Sequence, residues 1–357
     1  VLAQIGDSTN LKLHIDTGSN LINTLSSLCS NCSLATDLGP TWDLSGGVDQ
    51  LSSTTYYSDD GSGPGATGEI YSGTISLPGG MPSMSAGIFA VTELMASTGV
   101  AYTGASGQST DYPNGASGRI GMAGDSGSDK NSRNFVEALS SIGLQQIFAL
   151  ELCRSYGNLW LGGYSTSVMS GSVQWTPMVT PQAKMEVALS DLQVGGVSLG
   201  YSTTDFQSSL GKSPTVDSGT PHLELPDAIF TALDDYLNNN TQLATLLSVD
   251  GDFFTNGACV SAGSLTMDQI DAALPSLNFV FPTSSGSSFT LTAPASRSYL
   301  FFEPAAEGGY ICPGISDNGT SGTILGDTAL FNSHVIVFDQ VNSRIGFALD
   351  SGCDNSY

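Results

Sequence analysis

Positive charge is scarce in this chain: nine Lys and Arg stand against 33 Asp and Glu over 357 residues, a formal net charge of −24 at pH 7. Nucleic-acid phosphates and anionic membrane surfaces repel such a surface, so neither is expected as a partner. No apolar run reaches the roughly eighteen residues that a membrane-spanning helix needs. The start lacks a basic segment followed by an apolar one, so a signal peptide and any pro-segment are expected to have been removed or to lie outside the sequence. Histidine is limited to His14, His222 and His334, which are scattered and have no Glu-Xaa-Xaa-His or His-Glu companion. The cysteines form no paired CxxC modules, so neither a metal nor a cofactor is expected. Ser19 and Ser218 have no partnered His, which argues against a serine hydrolase. GSGPG and GATG lack the Lys and following helix of a phosphate loop.

What is abundant points elsewhere. The 43 Gly and 15 Pro, together with many Ser and Thr, favour short strands joined by turns over long helices. The length suits two domains. Cysteines at 29, 32, 153, 259, 312 and 353 read as three disulfides whose connectivity spacing alone leaves open. Sequons at Asn31, Asn239 and Asn318 are compatible with secretion. Protonating surface carboxylates relieves self-repulsion, so an acidic working environment is expected, although the same charge also serves solubility. Trp42, Trp160 and Trp175 follow no regular spacing and read as packing residues.

Along the chain, LKLHIDTGSNL alternates apolar and polar residues through Leu11, Leu13 and Ile15, as a half-buried strand that delivers Asp16 to its end. Strand-like GEIYSGTISL and SAGIFAVTEL follow a turn-rich stretch, and SRNFVEALSSIG has the spacing of a short amphipathic helix. IFALELC and NLWLGG read as a pair of strands. The second half repeats the plan: SPTVDSGTPHLELP, a helix-like DAIFTALDDYL and a closing hairpin in NSHVIVFDQVNSRIGFAL. Each half has a strand ending in Asp-Thr/Ser-Gly and a later apolar-apolar-Gly element, RIGMAG in the first and TILGDT in the second. A repeat spaced by about 200 residues indicates duplicated lobes, expected at 1–170 and 171–357.

Asp16 sits in DTGS and Asp217 in DSGT. Gly18 and Gly219 permit close backbone approach, and the hydroxyls of Thr17, Ser19, Ser218 and Thr220 are available as donors. Two such loops facing each other would put two carboxylates on one water. Like charges that close cannot both ionise cheaply, so the pair would retain one proton, which belongs to the coupled pair and not to either residue. The ionised partner would take a proton from water as it attacks a carbonyl, and the protonated one would polarise that carbonyl.

These residues resemble the pepsin family of eukaryotic-type aspartic proteases over essentially the whole chain. VDSGTPHLELP and TILGDTALFNSHVIVFDQVNSRIGFAL are similar to the family's second active-site loop and closing strands. QIFALELC and NLWLGGYSTSVMSGSVQWTPM, with LSSTTY and TGEIYSGTISLP, are nearest in wording to the memapsin, or β-secretase, branch. The resemblance implies an all-β, bilobal fold of two related barrel-like lobes with a few short helices and a central cleft. It implies aspartic endopeptidase activity on extended peptides, inhibition by statine-type transition-state analogues, a monomer, and a secreted zymogen-derived glycoprotein or a vacuolar or lysosomal one. Ile120 with Gly121 and Leu325 with Gly326 match the positions that support the catalytic loops. The implied disulfides are Cys153–Cys353 and Cys259–Cys312, leaving Cys29–Cys32 as a tight local bridge.

The chain also departs from the family. DTGS runs into Asn20, Leu21 and Ile22, without the aromatic that usually follows. Only 15 residues precede Asp16, about half the usual number, so a first strand is expected to begin at Val1. The segment after SSTTY is short for a full substrate-covering flap; Tyr57 is the candidate flap tyrosine, with Tyr56 competing. These departures motivate the alternative of a catalytically weak, pepsin-fold peptide-binding protein.

Overall fold

The computed structural model describes residues 1–357 except 31, 33–39, 45–49, 52–54, 59–64, 95–115, 125–133, 154–155, 180–184, 240, 250, 304–308, 352 and 354–357. Strands dominate, with a few short helices. Two compact units form, Val1–Gln146 and Ile147–Pro181 with Met185–Tyr357. The division between these units falls before residue 147, and hydrogen bonding gives the reason. Strand Ile147–Leu152 pairs with His334–Asp339, and Gly157–Leu161 pairs with Ile147–Leu152, so residues that precede 171 are stitched to the closing strands of the chain.

In the first unit, strands β1 (Leu2–Ile5), β2 (Ser8–Asp16), β3 (Ile22–Leu25), β4 (Thr55–Ser58), β5 (Gly65–Ser76), β6 (Met84–Leu94) and β7 (Gly118–Gly121) form one sheet in the order β1-β2-β7-β3-β6-β5-β4. β1 also pairs with β5, so the sheet closes on itself and leaves few unpaired edges. In β2, Leu11, Leu13 and Ile15 are buried while Lys12 is exposed, the period-2 pattern of a strand with one face in the core. Leu25, Ile70, Phe89, Val91 and Leu94 pack in one cluster, against which the Cys29–Cys32 disulfide lies. Trp42 is buried and meets Tyr71 edge-on at 6.3 Å. The helix Phe135–Leu139 is held by a reciprocal cap between Asn134 and Glu137.

The second unit holds a five-stranded sheet, in spatial order Met169–Pro177, Arg344–Asp350, His334–Asp339, Ile147–Leu152 and Gly157–Leu161. Trp160 and Trp175 pack against its Ala149, Val335 and Val337, and the Arg344 guanidinium lies 4.0 Å above the Trp175 ring. All three tryptophans therefore serve packing. Helix Asp227–Asn238 buries Ile229, Phe230, Leu233 and Leu237 on one face. Disulfides Cys153–Cys353 and Cys259–Cys312 lie in this unit.

Both units contain a parallel crossing that requires glycine. In the first, β2 runs parallel to β7 with Asp16 opposite Gly121, and a Cβ on Gly121 would stand 2.5 Å from the Leu21 backbone nitrogen and oxygen. In the second, strand Thr215–Val216 runs parallel to Ile324–Leu325, and a Cβ on Gly326 would stand 2.2 Å from the His222 carbonyl oxygen and 2.3 Å from that of Thr220. Backbone atoms at that range cannot move aside as a flexible side chain could.

At the end of the five-stranded sheet, Glu151 is buried, with its Oε2 accepting a hydrogen bond from the Asn158 amide. Burial pushes the Glu151 carboxyl up, the Asn158 bond acts in the opposite direction, and the nearby Asp350 charge adds to the rise. A carboxyl raised on folding holds its proton more tightly in the folded state. Its stabilising contribution is complete below the unfolded value and is lost as pH rises through the folded one. His334, lowered to about 4 mainly by burial, works the other way: its contribution is present above the ordinary histidine range and is lost on acidification toward pH 4.

Two predictions follow from this geometry. Gly326→Ala should destabilise the protein by about 3 kcal/mol or more, whereas Gly163→Ala, with open space around its Cβ position, should be close to neutral; chemical denaturation of both variants provides the comparison. Glu151→Gln keeps the acceptor for Asn158 and removes the titration. It should raise Tm at pH 7 by about 2 °C and leave Tm at pH 4 unchanged, and an equal change at both pH values would contradict the role given to this carboxyl.

Candidate active site

The sequence dictates two loops of the same build. β2 ends at Asp16, and the chain turns through Thr17 and Gly18; the Met122 N–H donates to the Asp16 carbonyl at 2.8 Å and the Ala123 N–H to the Ser19 carbonyl at 2.9 Å. Asp16 is only 3 % exposed and Thr17 is fully buried. The carboxylate Oδ1 accepts the backbone N–H groups of Gly18 at 2.9 Å and Ser19 at 3.1 Å. Oδ2 accepts the Ser19 hydroxyl at 2.7 Å and the Arg119 guanidinium Nη1 at 3.0 Å.

In the second unit, the Asp217 N–H donates to the Leu325 carbonyl at 3.1 Å, which fixes the loop to the Gly326 crossing. Asp217 Oδ1 accepts the Gly219 N–H at 2.7 Å, and Oδ2 accepts the Thr220 hydroxyl at 2.9 Å. Ser218 is buried. Each carboxylate is thus bonded by the N–H two residues on and the hydroxyl three residues on, so the Asp-Xaa-Gly-Ser/Thr spacing is a hydrogen-bonding unit. Donors of this kind hold the carboxylate in one orientation.

Thr328 locks the second loop from beneath. Its hydroxyl donates to the Gly314 carbonyl at 2.6 Å and accepts the Leu223 N–H at 2.9 Å. Beside it, Asp327 is half-buried with its Oδ1 shielded from solvent, and its N–H donates to the Thr220 carbonyl at 2.9 Å. Burial, with the neighbouring Asp217 charge second, pushes the Asp327 carboxyl well above the usual carboxylate range. Pro221, His222, Phe301, Asp327 and Asn332 help to line a pocket of 230 Å³ in this unit. The His222 ring lies 5.5 Å from that of Phe301, and burial lowers its basicity.

Arg119 and Asp327 are site residues that the sequence reading passed over. Both stand inside quoted motifs, RIGMAG and TILGDT, and the available signal was a charge within an otherwise apolar strand-and-glycine element. His334 is buried against Ser333, with its Nδ1 and the Ser333 hydroxyl 2.8 Å apart. Glu151, Cys153, Asp350 and Cys353 do converge, but both sulfurs are committed to the Cys153–Cys353 disulfide and offer no thiolate. The backbone of Tyr57 pairs with Ala66 in the β4–β5 ladder; the Tyr57 side chain and residues 59–64 lie outside the described residues.

Comparison with known proteins gives this arrangement its context. The model of the family described as eukaryotic aspartyl protease matches residues 3–350. A beta-secretase of Strongylocentrotus purpuratus is 25 % identical over 247 residues, covering 62 % of this chain and 44 % of that protein. A gastricsin of Cavia porcellus is 30 % identical over 197 residues, 54 % of this chain and 41 % of its own length. A pepsin B of Canis lupus familiaris is 32 % identical over 203 residues, 55 % and 43 % of the two chains. The chain thus spans under half the length of these curated relatives. With a family match that runs through both Asp-Xaa-Gly loops and both glycine crossings, this chain belongs to the eukaryotic aspartyl protease family.

Proposed function

We propose that the protein is an aspartic endopeptidase in which Asp16 and Asp217 act as one catalytic pair. The observation that carries this reading is the duplicated loop: two carboxylates, each bonded by a glycine N–H and a neighbouring hydroxyl, the first opposite Gly121 and the second at the end of the strand paired with Ile324–Leu325, just before Gly326. Two carboxylates sharing one water cannot both ionise cheaply, the familiar behaviour of aspartic protease dyads, so one proton stays with the pair in acid. The anionic member accepts a proton from water, and the protonated member polarises the scissile carbonyl and later helps the amine to leave. Thr17, Gly18, Ser19, Ser218, Gly219 and Thr220 hold the carboxylates, and Ile120 with Gly121 and Leu325 with Gly326 hold the loops.

The substrate proposed is an extended peptide, bound through backbone hydrogen bonds with side chains in successive subsites. Hydrophobic residues are expected on both sides of the cut, and the net charge of −24 favours basic peptides over acidic ones. Tyr57 is retained as the proposed flap residue, and statine-type compounds as inhibitors. No helix among the described residues is long and apolar enough to cross a membrane, and three disulfides join the six cysteines. The disulfides fit a secreted protein or one of an acidic vacuolar or lysosomal compartment, and a monomer is the proposed working state.

Cleavage of denatured globin between pH 2 and pH 7 tests the reading. Wild type should cut in acid, with activity abolished by a statine-type inhibitor and reduced about 10²- to 10⁴-fold in Asp217→Asn. A folded wild type that binds the inhibitor and cuts nothing would establish the peptide-binding alternative instead.

A further inference from the structure

The two loops differ in one respect that their shared build does not require. Residue for residue, Gly118-Arg119-Ile120-Gly121 occupies the place of Thr323-Ile324-Leu325-Gly326, with Gly121 opposite Asp16 and Gly326 following the strand beside Asp217. Where the second unit has Ile324, the first has Arg119. Met122, one residue beyond the first crossing glycine, is buried and apolar, and its counterpart in the second unit is the acid Asp327. A cation therefore stands beside Asp16 and an acid beside Asp217.

Arg119 is not a surface charge that happens to lie near. It is one of only nine Lys and Arg, is 6 % exposed, and directs its guanidinium Nη1 to Asp16 Oδ2 at 3.0 Å. The parallel register sets His14 opposite Arg119 and Asp16 opposite Gly121. Period-2 alternation therefore puts Arg119 and Gly121 on the strand face that Asp16 shares. The Arg119 N–H is anchored to Asn23 Oδ1 at 3.1 Å, which fixes the strand from the other side of the pairing. A buried guanidinium needs an anion, and a carboxylate beside a guanidinium favours its charged form.

We propose that Arg119 is a positioning residue that fixes the division of labour in the dyad, holding Asp16 as the anion and leaving the shared proton on Asp217. This rests on the proteolytic reading above. The water oxygen then bonds to the carbonyl carbon while one water proton passes to Asp16, and the carbonyl oxygen takes the proton of Asp217. The product is a neutral diol, with Asp16 protonated and Asp217 anionic. On collapse, a diol hydroxyl returns its proton to Asp217, the C–N bond breaks, and the nitrogen takes the proton of Asp16, which Arg119 makes easy to release. The dyad is restored with Asp16 again the anion.

The test is the pH dependence of kcat/KM for wild type, Arg119→Lys and Arg119→Met. Loss of the cation should move the acid limb upward by about 1–3 pH units, and Arg119→Lys should hold it near the wild-type position. Acid limbs that coincide in wild type and Arg119→Met, whatever the loss in rate, would overturn the proposal, since a purely structural role lowers activity without moving the limb. Wild type that cleaves at no pH would overturn the proteolytic reading and this assignment with it. If Arg119→Met does not fold, the full-length Asp217→Asn protein decides the matter. There the coupling between carboxylates is removed, and the ¹³C-aspartate signal of Asp16, assigned by its loss on further Asp16→Asn substitution, can be titrated alone. A midpoint below the ordinary aspartate value of about 3.9 is expected, and a midpoint at or above it would overturn the proposal.

Discussion

The structure of each loop depends on one constraint: a carboxylate placed at the end of a buried strand must have its oxygens satisfied, and satisfied in a fixed orientation. Asp16 meets this with two backbone N–H groups, one hydroxyl and one guanidinium. Asp217 meets it with a backbone N–H and a hydroxyl from the same positions of its own loop. The tight turn that aims those donors leaves no room for a side chain at the crossing strand, which is why Gly121 and Gly326 stand where they do. Sequence spacing, loop shape and the strand crossing are consequences of the same requirement.

The surroundings of the two loops differ in charge. Asp217 has the acid Asp327 nearby, whose carboxyl is pushed up by desolvation first and by the Asp217 charge second. Asp16 has Arg119. Across the whole chain acidic groups outnumber basic ones by 33 to nine, so a guanidinium committed to a buried position is a concentrated departure from the general balance. The two loops share one build, and Arg119 against Ile324 and Met122 against Asp327 are where their surroundings differ.

Much of this was legible before any coordinates. Period-2 alternation in LKLHID, the Asp-Xaa-Gly-Ser/Thr tetrads and the two apolar-Gly elements are local patterns with a direct structural meaning, and they mark the strands, the loops and the mostly β fold. The unit boundary was less legible, because Ile147–Leu152 joins strands nearly 200 residues later, and strand pairing over that distance leaves no trace in a local pattern. Arg119 was missed for a related reason: a charge in a short apolar strand reads as an exposed residue until the register shows it opposite His14 and beside Asp16. Asp327 lay in a quoted motif, yet only its shielded Oδ1 and its place near Asp217 distinguish it from a solvated turn aspartate.

The central claim is that Asp16 and Asp217 serve one reacting centre, and a crystal structure of the protein with a statine-type peptide tests it most directly. The account predicts that the inhibitor hydroxyl lies within hydrogen-bond distance, about 2.5–3.0 Å, of both carboxylates. A hydroxyl that contacts only one of them, or a peptide seated away from both loops, would contradict it.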